Sequence, residues 1–339
     1  MYTPVASKVM SGTARSAPRA PENNANSEPD HAEGPFVIRM VGRFRGTAGA
    51  TTRIERMSRE WILRVTCPDA TGIVHAVTGV LASLGANITE SQQFSSPDSL
   101  QFFLRVQFVT NNDSDAETLQ SSLAEAAHRF TMTVSLQPVE KKTRTLVLVS
   151  KAAHCLNTLL FQQSSGQLPI DIVGVAGNHD SLRSLAEFHG HDFHHIPISP
   201  ETKDAAEARL SALVDDLDVE LIVLARYMQI LSPDLCARLE GRVINIHHSF
   251  LPSFKGAKPY HQAHARGVKI IGATAHYVTP DLDEGPIIEQ DVARVDHNRN
   301  IADFVQRGQD VEAAVLARAV AWHAEGRVLM DGKRTVVFN

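Results

Sequence analysis

The chain has 339 residues, of which 43% are hydrophobic and 21% charged, and its formal net charge is −5. This length allows two domains with separate cores. The weakly acidic balance gives no general attraction to nucleic acid or acidic membranes, and no apolar run approaches the roughly 18 residues expected of a membrane-spanning helix.

The first 56 residues are rich in Ser, Ala, Pro, Asn and Arg and lack sustained apolar periodicity, which predicts a disordered extension. Residues 1–20 contain Lys8, Arg15 and Arg19 but no acidic residue, a composition also found in organelle transit peptides. A start codon placed upstream of a true start near Met57 is a third interpretation. These alternatives stay open.

Residues 60–138 alternate between strand and helix patterns in the order βαββαβ, which is that of a ferredoxin-like split βαβ unit. A glycine, Gly85, follows the first helical pattern at the position of a C-terminal cap. The predicted elements are a strand at 61–65, a helix at 73–84, a hairpin formed by 88–94 and 102–109, a helix around 119–127 and a strand at 132–136.

A charged segment without apolar periodicity, residues 139–144, is predicted to be a linker. From residue 145 to 339 strands alternate with helices, which predicts a doubly wound, Rossmann-like α/β domain with a largely parallel sheet. In such sheets ligands bind beyond the carboxyl ends of the strands. The predicted strands are 146–150, 170–176, 221–225 and 243–247, and the predicted helices are 152–162, 205–215 and 311–323.

The most informative stretch is residues 242–291. Asn245 and His247 lie two apart near the end of a predicted strand, so they face the same side. Asn offers neutral donors and His a transferable proton, and both suit a tetrahedral oxyanion. Asp283 follows in a turn with Gly285 and Pro286. An Asn–His–Asp set suits acyl-group chemistry without a Ser or Cys nucleophile.

This stretch resembles the folate-dependent formyl transferases and hydrolases, which share a strand ending in Asn-x-His, a Pro-containing loop and a Leu-Asp-x-Gly-Pro loop. The resemblance extends from about residue 60 to the end, and the hydrolase branch of the family is the most similar. The features shared with that branch are the doubled His247-His248, the run Ser249–Pro252 and the run Asp283–Ile288.

The resemblance implies catalytic roles for Asn245, His247 and Asp283. Asn245 and a protonated His247 would stabilise the negative oxygen, while Asp283 would keep His247 charged and accept a proton from water. Any one of these residues alone is more often a turn former or a structural residue. His248 would face away from the cleft in a regular strand, and its role is left open.

The resemblance also implies a pterin pocket lined by Met228, Gln229, Ile230, Leu231, Val278 and Thr279. A flat heteroaromatic ring suits apolar walls and backbone hydrogen bonds. Gln229 stands where many relatives carry Arg, which puts a side-chain contact to the folate tail in doubt. The alternative for residues 228–231 is a strand-to-helix turn that belongs to the core.

The turn from Ser150 to Cys155 contains no glycine. In glycinamide ribonucleotide formyltransferases the corresponding turn is glycine-rich and cradles a phosphate. Water is therefore the expected acceptor, although Lys151 could attract an anion. The expected reaction is hydrolysis of 10-formyltetrahydrofolate to formate and tetrahydrofolate, supplying one-carbon and purine metabolism. The alternatives are a formyltransferase with an amine acceptor, and an inert folate- or amino-acid-binding regulator.

The loop before the first predicted helix and the Asn87-Ile88 pair after it resemble an ACT domain. This implies an amino-acid effector, with glycine or methionine as candidates and Asp69, Gly72 and Ile73 as contacts, and a homo-oligomer. A plain α/β sandwich used for assembly is the alternative.

No metal or redox cofactor is implied, since the folate is the substrate and the pairs His194-His195 and His247-His248 lack the partner spacing of a zinc site. Cys67, Cys155 and Cys236 form no CxxC pair and indicate reduced thiols in the cytoplasm.

Overall fold

The computed structural model describes residues 59–110, 115–251 and 259–339. These residues belong to one compact unit, Ile54–Asn339. The three interpretations of residues 1–56 lie outside the described residues. Across the described ranges, no helix has the length and hydrophobicity needed to cross a membrane.

The first part of the described chain forms a four-stranded antiparallel sheet with strand order β2-β3-β1-β4, as predicted for the ferredoxin-like unit. Leu63 and Val65 of the sheet pack with Val77 and Leu123 of the two helices in one core. The elements are β1 (Arg59–Pro68), α1 (Ile73–Ser83), β2 (Asn87–Ser95), β3 (Gln101–Thr110), α2 (Ala116–Arg129) and β4 (Thr133–Pro138).

The second part is built on a seven-stranded sheet with strand order β11-β10-β9-β8-β5-β6-β7. The strands are β5 (Thr143–Val149), β6 (Ile170–Gly177), β7 (Phe193–His195), β8 (Leu221–Leu224), β9 (Val243–His247), β10 (Ile270–Tyr277) and β11 (Ile287–Arg294). Strands β5 to β9 run parallel, whereas β10 is antiparallel to both β9 and β11. The sheet is therefore mixed, with an antiparallel extension at one edge.

Helices cover both faces of this sheet. Val147 and Val149 of β5 belong to one apolar cluster, and Leu146 and Leu148 belong to the other. This alternation is expected when both faces of a strand are buried, and the doubly wound prediction is confirmed. The helices are α3 (His154–Ser164), α4 (Arg183–Phe188), α5 (Lys203–Asp216), α6 (Pro233–Arg238), α7 (Pro259–Ala265) and α8 (Ile301–Ala324).

The C-terminal hairpin packs against the four-stranded sheet. Its strands are β12 (Val328–Asp331) and β13 (Arg334–Val337). Leu329 and Phe338 form a small core with Phe103 of β3. Arg105, also on β3, is 1% exposed and donates hydrogen bonds to the backbone oxygen of Glu325 just beyond α8. The two parts of the chain therefore share an interface made by its last residues.

Three features differ from the sequence-based expectation. Strand β5 begins at Thr143, so the last two residues of the predicted 139–144 linker belong to the sheet. Helix α8 begins at Ile301 rather than at residue 311, with Asn300 and Asp303 forming a reciprocal capping box. Strands β7, β10 and β11, helices α4, α6 and α7 and the C-terminal hairpin were not predicted.

Candidate active site

A cleft of about 620 Å³ opens at the carboxyl ends of β8 and β9. Its position agrees with the general rule for ligand sites in doubly wound sheets. The structure brings all the predicted catalytic and folate-binding residues to its lining: Met228, Gln229, Ile230, Leu231, Asn245, His247, Val278, Thr279 and Asp283.

His247 and Asp283 are in contact within the cleft, with Nδ1 of His247 3.1 Å from Oδ1 of Asp283. The hydrogen bond from His247 is the main reason that the pKa of Asp283 lies below its ordinary value, and burial opposes this shift. Nε2 of His247 is buried and has no hydrogen-bond partner among the described residues. The imidazole ring of His247 is therefore oriented by Asp283 through Nδ1, while its Nε2 has no hydrogen-bond partner among the described residues.

The loop that carries Asp283 packs closely against β10. Asp283 itself has a left-handed backbone conformation, with φ of +58°. At Gly285 a Cβ atom would lie 1.8 Å from the backbone oxygen of Tyr277, so only glycine fits there. Strained backbone of this kind persists where the surrounding structure fixes it, and it is common at functional sites.

His276 is a site residue that the sequence analysis missed. Its Nδ1 lies 2.8 Å from the backbone oxygen of Tyr277, which can only accept, so Nδ1 carries the proton. Nε2 then accepts a hydrogen bond from Nδ2 of Asn245 at 3.2 Å. Burial lowers the pKa of His276, in agreement with a neutral ring. The ring therefore fixes which way the Asn245 amide points.

The signal that could have identified His276 is a histidine in the otherwise largely apolar run 270–277, shortly before the Asp283 loop. Strand β10 places it opposite Asn245 in the antiparallel register with β9.

His248 lines the cleft, contrary to the expectation that it would face away. Strand β9 ends at His247, so the strand alternation does not extend to the next residue. The rings of the two histidines have centroids 5.1 Å apart. Burial, followed by the nearby charge of Arg226, lowers the pKa of His248 to about 4, so this ring is neutral near pH 7.

One side of the cleft has apolar walls that remain open to solvent. Met228 and Ile230 are each 59% exposed, and Leu282 faces them with the same exposure. The turn that carries Met228 is fixed because its backbone N–H donates to Oγ of Ser150 at 2.9 Å. A flat ring system could bury this apolar surface without rearrangement of the turn.

A second cluster of polar residues lies beside the cleft, around the carboxylate of Glu312 on α8. His154, Cys155 and Glu312 have potential metal-ligand atoms within 4.8 Å of one another. Glu312 already pairs with His154, Arg226 and the hydroxyl of Tyr260. Burial, together with the nearby Glu312 carboxylate, raises the pKa of the Cys155 thiol well above its ordinary value, which makes it a poor metal ligand. The arrangement fits an ion-pair network better than a metal site.

Of the three residues expected to contact an effector, Asp69 and Gly72 lie in the turn between β1 and α1 and Ile73 is the first residue of α1; none of them lines the cleft. Gly72 precedes α1 with φ of +99°, the backbone N–H of Asp69 donates to the oxygen of Leu100, and Ile73 is buried.

Two family models match the chain: the formyl transferase model over residues 143–320 and the ACT domain model over residues 61–126. A formyltetrahydrofolate deformylase of Corynebacterium sp. (strain P-1) is 53% identical over 277 residues, which is 81% of this chain and 97% of that protein. The chain belongs to the formyltetrahydrofolate deformylase family.

Solved structures agree with this family assignment. The formyltetrahydrofolate deformylase of Burkholderia mallei has a TM-score of 0.80 and 48% identity, and the match covers 83% of this chain and all of that one. A glycinamide ribonucleotide transformylase of Symbiobacterium toebii has a TM-score of 0.55 and 30% identity, with 58% of this chain and 95% of that one covered. Membership of the family confirms the resemblance predicted from residues 242–291.

Proposed function

We propose that this chain hydrolyses 10-formyltetrahydrofolate to formate and tetrahydrofolate, with Asn245, His247 and Asp283 as the reacting groups. The single observation that carries the proposal is the buried, unpartnered Nε2 of His247 in the cleft, with Asp283 on the opposite ring nitrogen. A ring held in this way can direct one N–H at an oxygen that becomes negative during the reaction.

In the proposed reaction, water attacks the formyl carbon while the carboxylate of Asp283 accepts a proton from that water. Asp283 is ionised at neutral pH, as its lowered pKa requires, so its carboxylate can accept a proton. A protonated His247 donates from Nδ1 to Asp283 and from Nε2 to the negative oxygen. The tetrahedral intermediate then collapses: the carbon–N10 bond breaks, N10 takes up the proton that Asp283 accepted from water, and the formic acid produced loses its remaining proton to solvent and leaves as formate.

Asn245 would contribute the second donor to the same oxygen. Its Nδ2 carries two hydrogens, and His276 accepts only one of them. The other is available to the cleft. His276 thus acts as a positioning residue, because its fixed tautomer keeps the amide nitrogen of Asn245, rather than the oxygen, at the reacting end.

The pterin ring would lie against Met228, Ile230 and Leu231, with Val278 and Thr279 at its border. Gln229 is half-buried at the same edge and would meet the ring or the start of the tail. A neutral side chain at this point makes no ion pair with a folate carboxylate. Binding of the ring is therefore expected to depend on apolar contact and backbone hydrogen bonds.

The test is to measure formate and tetrahydrofolate released from 10-formyltetrahydrofolate with and without an added amine. Hydrolysis predicts equal amounts of the two products when no amine is present. Release that needs an amine would instead identify a formyltransferase, and binding without release would identify a regulator. His195→Gln on the distant edge strand β7 is a matched histidine control and should not change the outcome.

We propose further that the reaction needs no resident metal or redox cofactor, because side chains supply both the base and the oxyanion donors. Dialysis against a strong chelator should leave turnover unchanged. A loss of turnover that zinc restores would overturn this part of the proposal.

The ACT domain is proposed to bind an amino acid, glycine or methionine, near Asp69, Gly72 and Ile73, and to hold the protein in a homo-oligomer. Strands β2 and β4 are the outer strands of the four-stranded sheet, and such edges can pair between subunits. Titrating each amino acid against formate release, with the oligomeric state measured by sedimentation, tests both points. A monomer that ignores both amino acids contradicts them.

A cytoplasmic location is proposed, with import into an organelle through residues 1–20 as the alternative. Cys67, Cys155 and Cys236 are all free and buried, which fits a reducing compartment. Fusion of residues 1–56 to a fluorescent protein distinguishes the two locations.

A further inference from the structure

The cluster around Glu312 has no role in the reaction described above, although it borders the same cleft. The Glu312 side chain is only 1% exposed, and three side chains from different elements converge on it. Nε2 of His154 lies 2.8 Å away, Nε of Arg226 lies 3.2 Å away, and the hydroxyl of Tyr260 donates to the other oxygen. Burial opposes ionisation of Glu312, but these contacts outweigh it and lower its pKa.

Arg226 and Tyr260 are the members of this cluster that line the cleft. Arg226 lies two residues after β8 and has a left-handed backbone conformation, with φ of +62°. This conformation is unfavourable for a side chain of this size, whereas glycine adopts it freely. Its buried Nε also has no aligned hydrogen bond among the described residues. An arginine that is held in a strained backbone conformation and paired with a buried carboxylate indicates a selected function for its side chain.

The lining of the cleft includes an apolar group of side chains, Met228, Ile230 and Leu282, which suits a ring. It also includes a polar group, Arg226, His248 and Tyr260, in which the His248 ring lies 5.1 Å from that of His247 and 6.3 Å from that of Tyr260. If the folate ring contacts the apolar group, the polar group is left to meet the molecule that attacks the formyl carbon. We call this polar group, defined by Arg226, His248 and Tyr260, the acceptor end.

The charge at the acceptor end comes from Arg226. His248 is neutral near pH 7 because burial and the adjacent guanidinium lower its pKa to about 4. The negative charge of Glu312 faces Arg226 and is shielded from solvent. A protonated amine would therefore be repelled by the cation of Arg226. A neutral amine would have to displace the Arg226 side chain, which its contact with Glu312 holds in place. Water meets neither obstacle, and the formate anion is attracted on departure.

We propose that Arg226, positioned by Glu312, is the specificity-determining residue that restricts the formyl acceptor to water. The inference rests on the proposed function. In hydrolysis the carbon–N10 bond is replaced by a carbon–oxygen bond from water, and the water proton passes to Asp283. If an amine entered instead, its nitrogen would form the new bond to carbon and its proton would pass to Asp283. The carbon–N10 bond would then break, N10 would take up that proton, and a formamide would leave.

The test uses the full chain and the variant Arg226→Gly, which removes the side chain and relieves the strain at φ of +62°. 10-Formyltetrahydrofolate is supplied with a large excess of glycinamide, and formate and formylglycinamide are both quantified. The ratio of formylglycinamide to formate should rise by about tenfold or more relative to the unmodified chain, the range in which shape and polarity discriminate small groups.

A second variant guards against loss of folding, because Arg226→Gly leaves Glu312 buried without its cation. Arg226→Gly/Glu312→Gln removes both charges and should show the same increase in the ratio. Lys151→Ala is the matched control: it removes an exposed cation near the same edge of the sheet that does not line the cleft. The control should keep the original ratio.

A ratio that stays at the original value in the folded variants overturns the inference, and so does an equal rise in the Lys151→Ala control. The proposed function is judged separately by the unmodified chain. If that chain releases no formate without amine, the proposed hydrolysis is wrong; if it does and the variants do not change the ratio, only the role of Arg226 is wrong.

Discussion

Two histidine–carboxylate pairs lie near the carboxyl ends of the same sheet, and their surroundings give them different properties. His247 and Asp283 are 3.1 Å apart, and the remaining ring nitrogen has no partner among the described residues. His154 and Glu312 are 2.8 Å apart, but the carboxylate is also engaged by Arg226 and Tyr260. The first pair keeps a vacant donor position, whereas the second is saturated.

The comparison shows that a His–carboxylate pair is not in itself a sign of catalysis. Reactivity depends on a polar atom that the fold leaves unsatisfied at a place which substrate can reach. A saturated, buried pair instead holds neighbouring elements together, and its loss exposes uncompensated charge. The two pairs should therefore respond in opposite ways to substitution.

The largest expected effect is on turnover at the first pair. Asp283→Asn should lower formate release by about a hundred- to ten-thousand-fold, since an amide cannot accept the proton from water. Folding should be retained, because Asn tolerates the left-handed conformation of this position. Turnover, folate binding and melting temperature are measured together; near-normal turnover would remove Asp283 from the mechanism.

Asn245→Ala should lower turnover by roughly two to three orders of magnitude if its amide donates to the oxyanion. The hydrogen bond to His276 is lost as well. The melting temperature separates the two possible roles. A large decrease in melting temperature with normal turnover would show that Asn245 shapes the strand end and takes no part in the reaction.

At the second pair the effect should appear in stability. Glu312→Ala leaves the guanidinium of Arg226 without a counter-charge and should lower the free energy of unfolding by roughly 3–5 kcal/mol. Chemical denaturation measures this change. Glu289→Ala, which removes a more exposed carboxylate paired with Arg318, is the control and should cost much less. Similar losses in the two variants would contradict the comparison.

The smallest expected effect concerns pH. Burial, with a contribution from Arg64, lowers the pKa of His323 from the ordinary 6.5 to about 4. As pH falls from 6.5 to 4 the unfolded chain binds a proton that the folded chain does not, so stability should decrease across that window. His323→Gln should make this decrease smaller when melting temperature is followed against pH. An unchanged slope would show that His323 does not contribute.

Much of the fold could be predicted because its central elements have strong local signals. Strands β5, β6, β8 and β9 are rich in Val, Ile and Leu, as expected for strands buried on both faces. The position of Asn245 and His247 at a strand end followed from the same pattern.

The features of the fold and the site that the sequence did not predict depend on contacts between segments that are distant in the chain. The start of α8 was missed because Gly308 interrupts the helical pattern. A Cβ at this position would lie 2.1 Å from the ring of Tyr260, so glycine is required there by a residue far away in sequence. The partners of Asn245 and Arg226 could not be predicted for a similar reason. His276 lies opposite Asn245 only because of the register between β9 and β10. Glu312 contacts Arg226 only once α8 has packed against the sheet.

The C-terminal hairpin has a consequence for exchanging parts between relatives. It packs on Phe103 of the four-stranded sheet, and Ser96 of the same half donates a hydrogen bond to Asp331 of the hairpin at 2.9 Å. The two halves are therefore not modules joined in series. A chimaera that takes its ACT half from another family member needs the last residues of that same relative, from Glu325 onward, to recreate the interface.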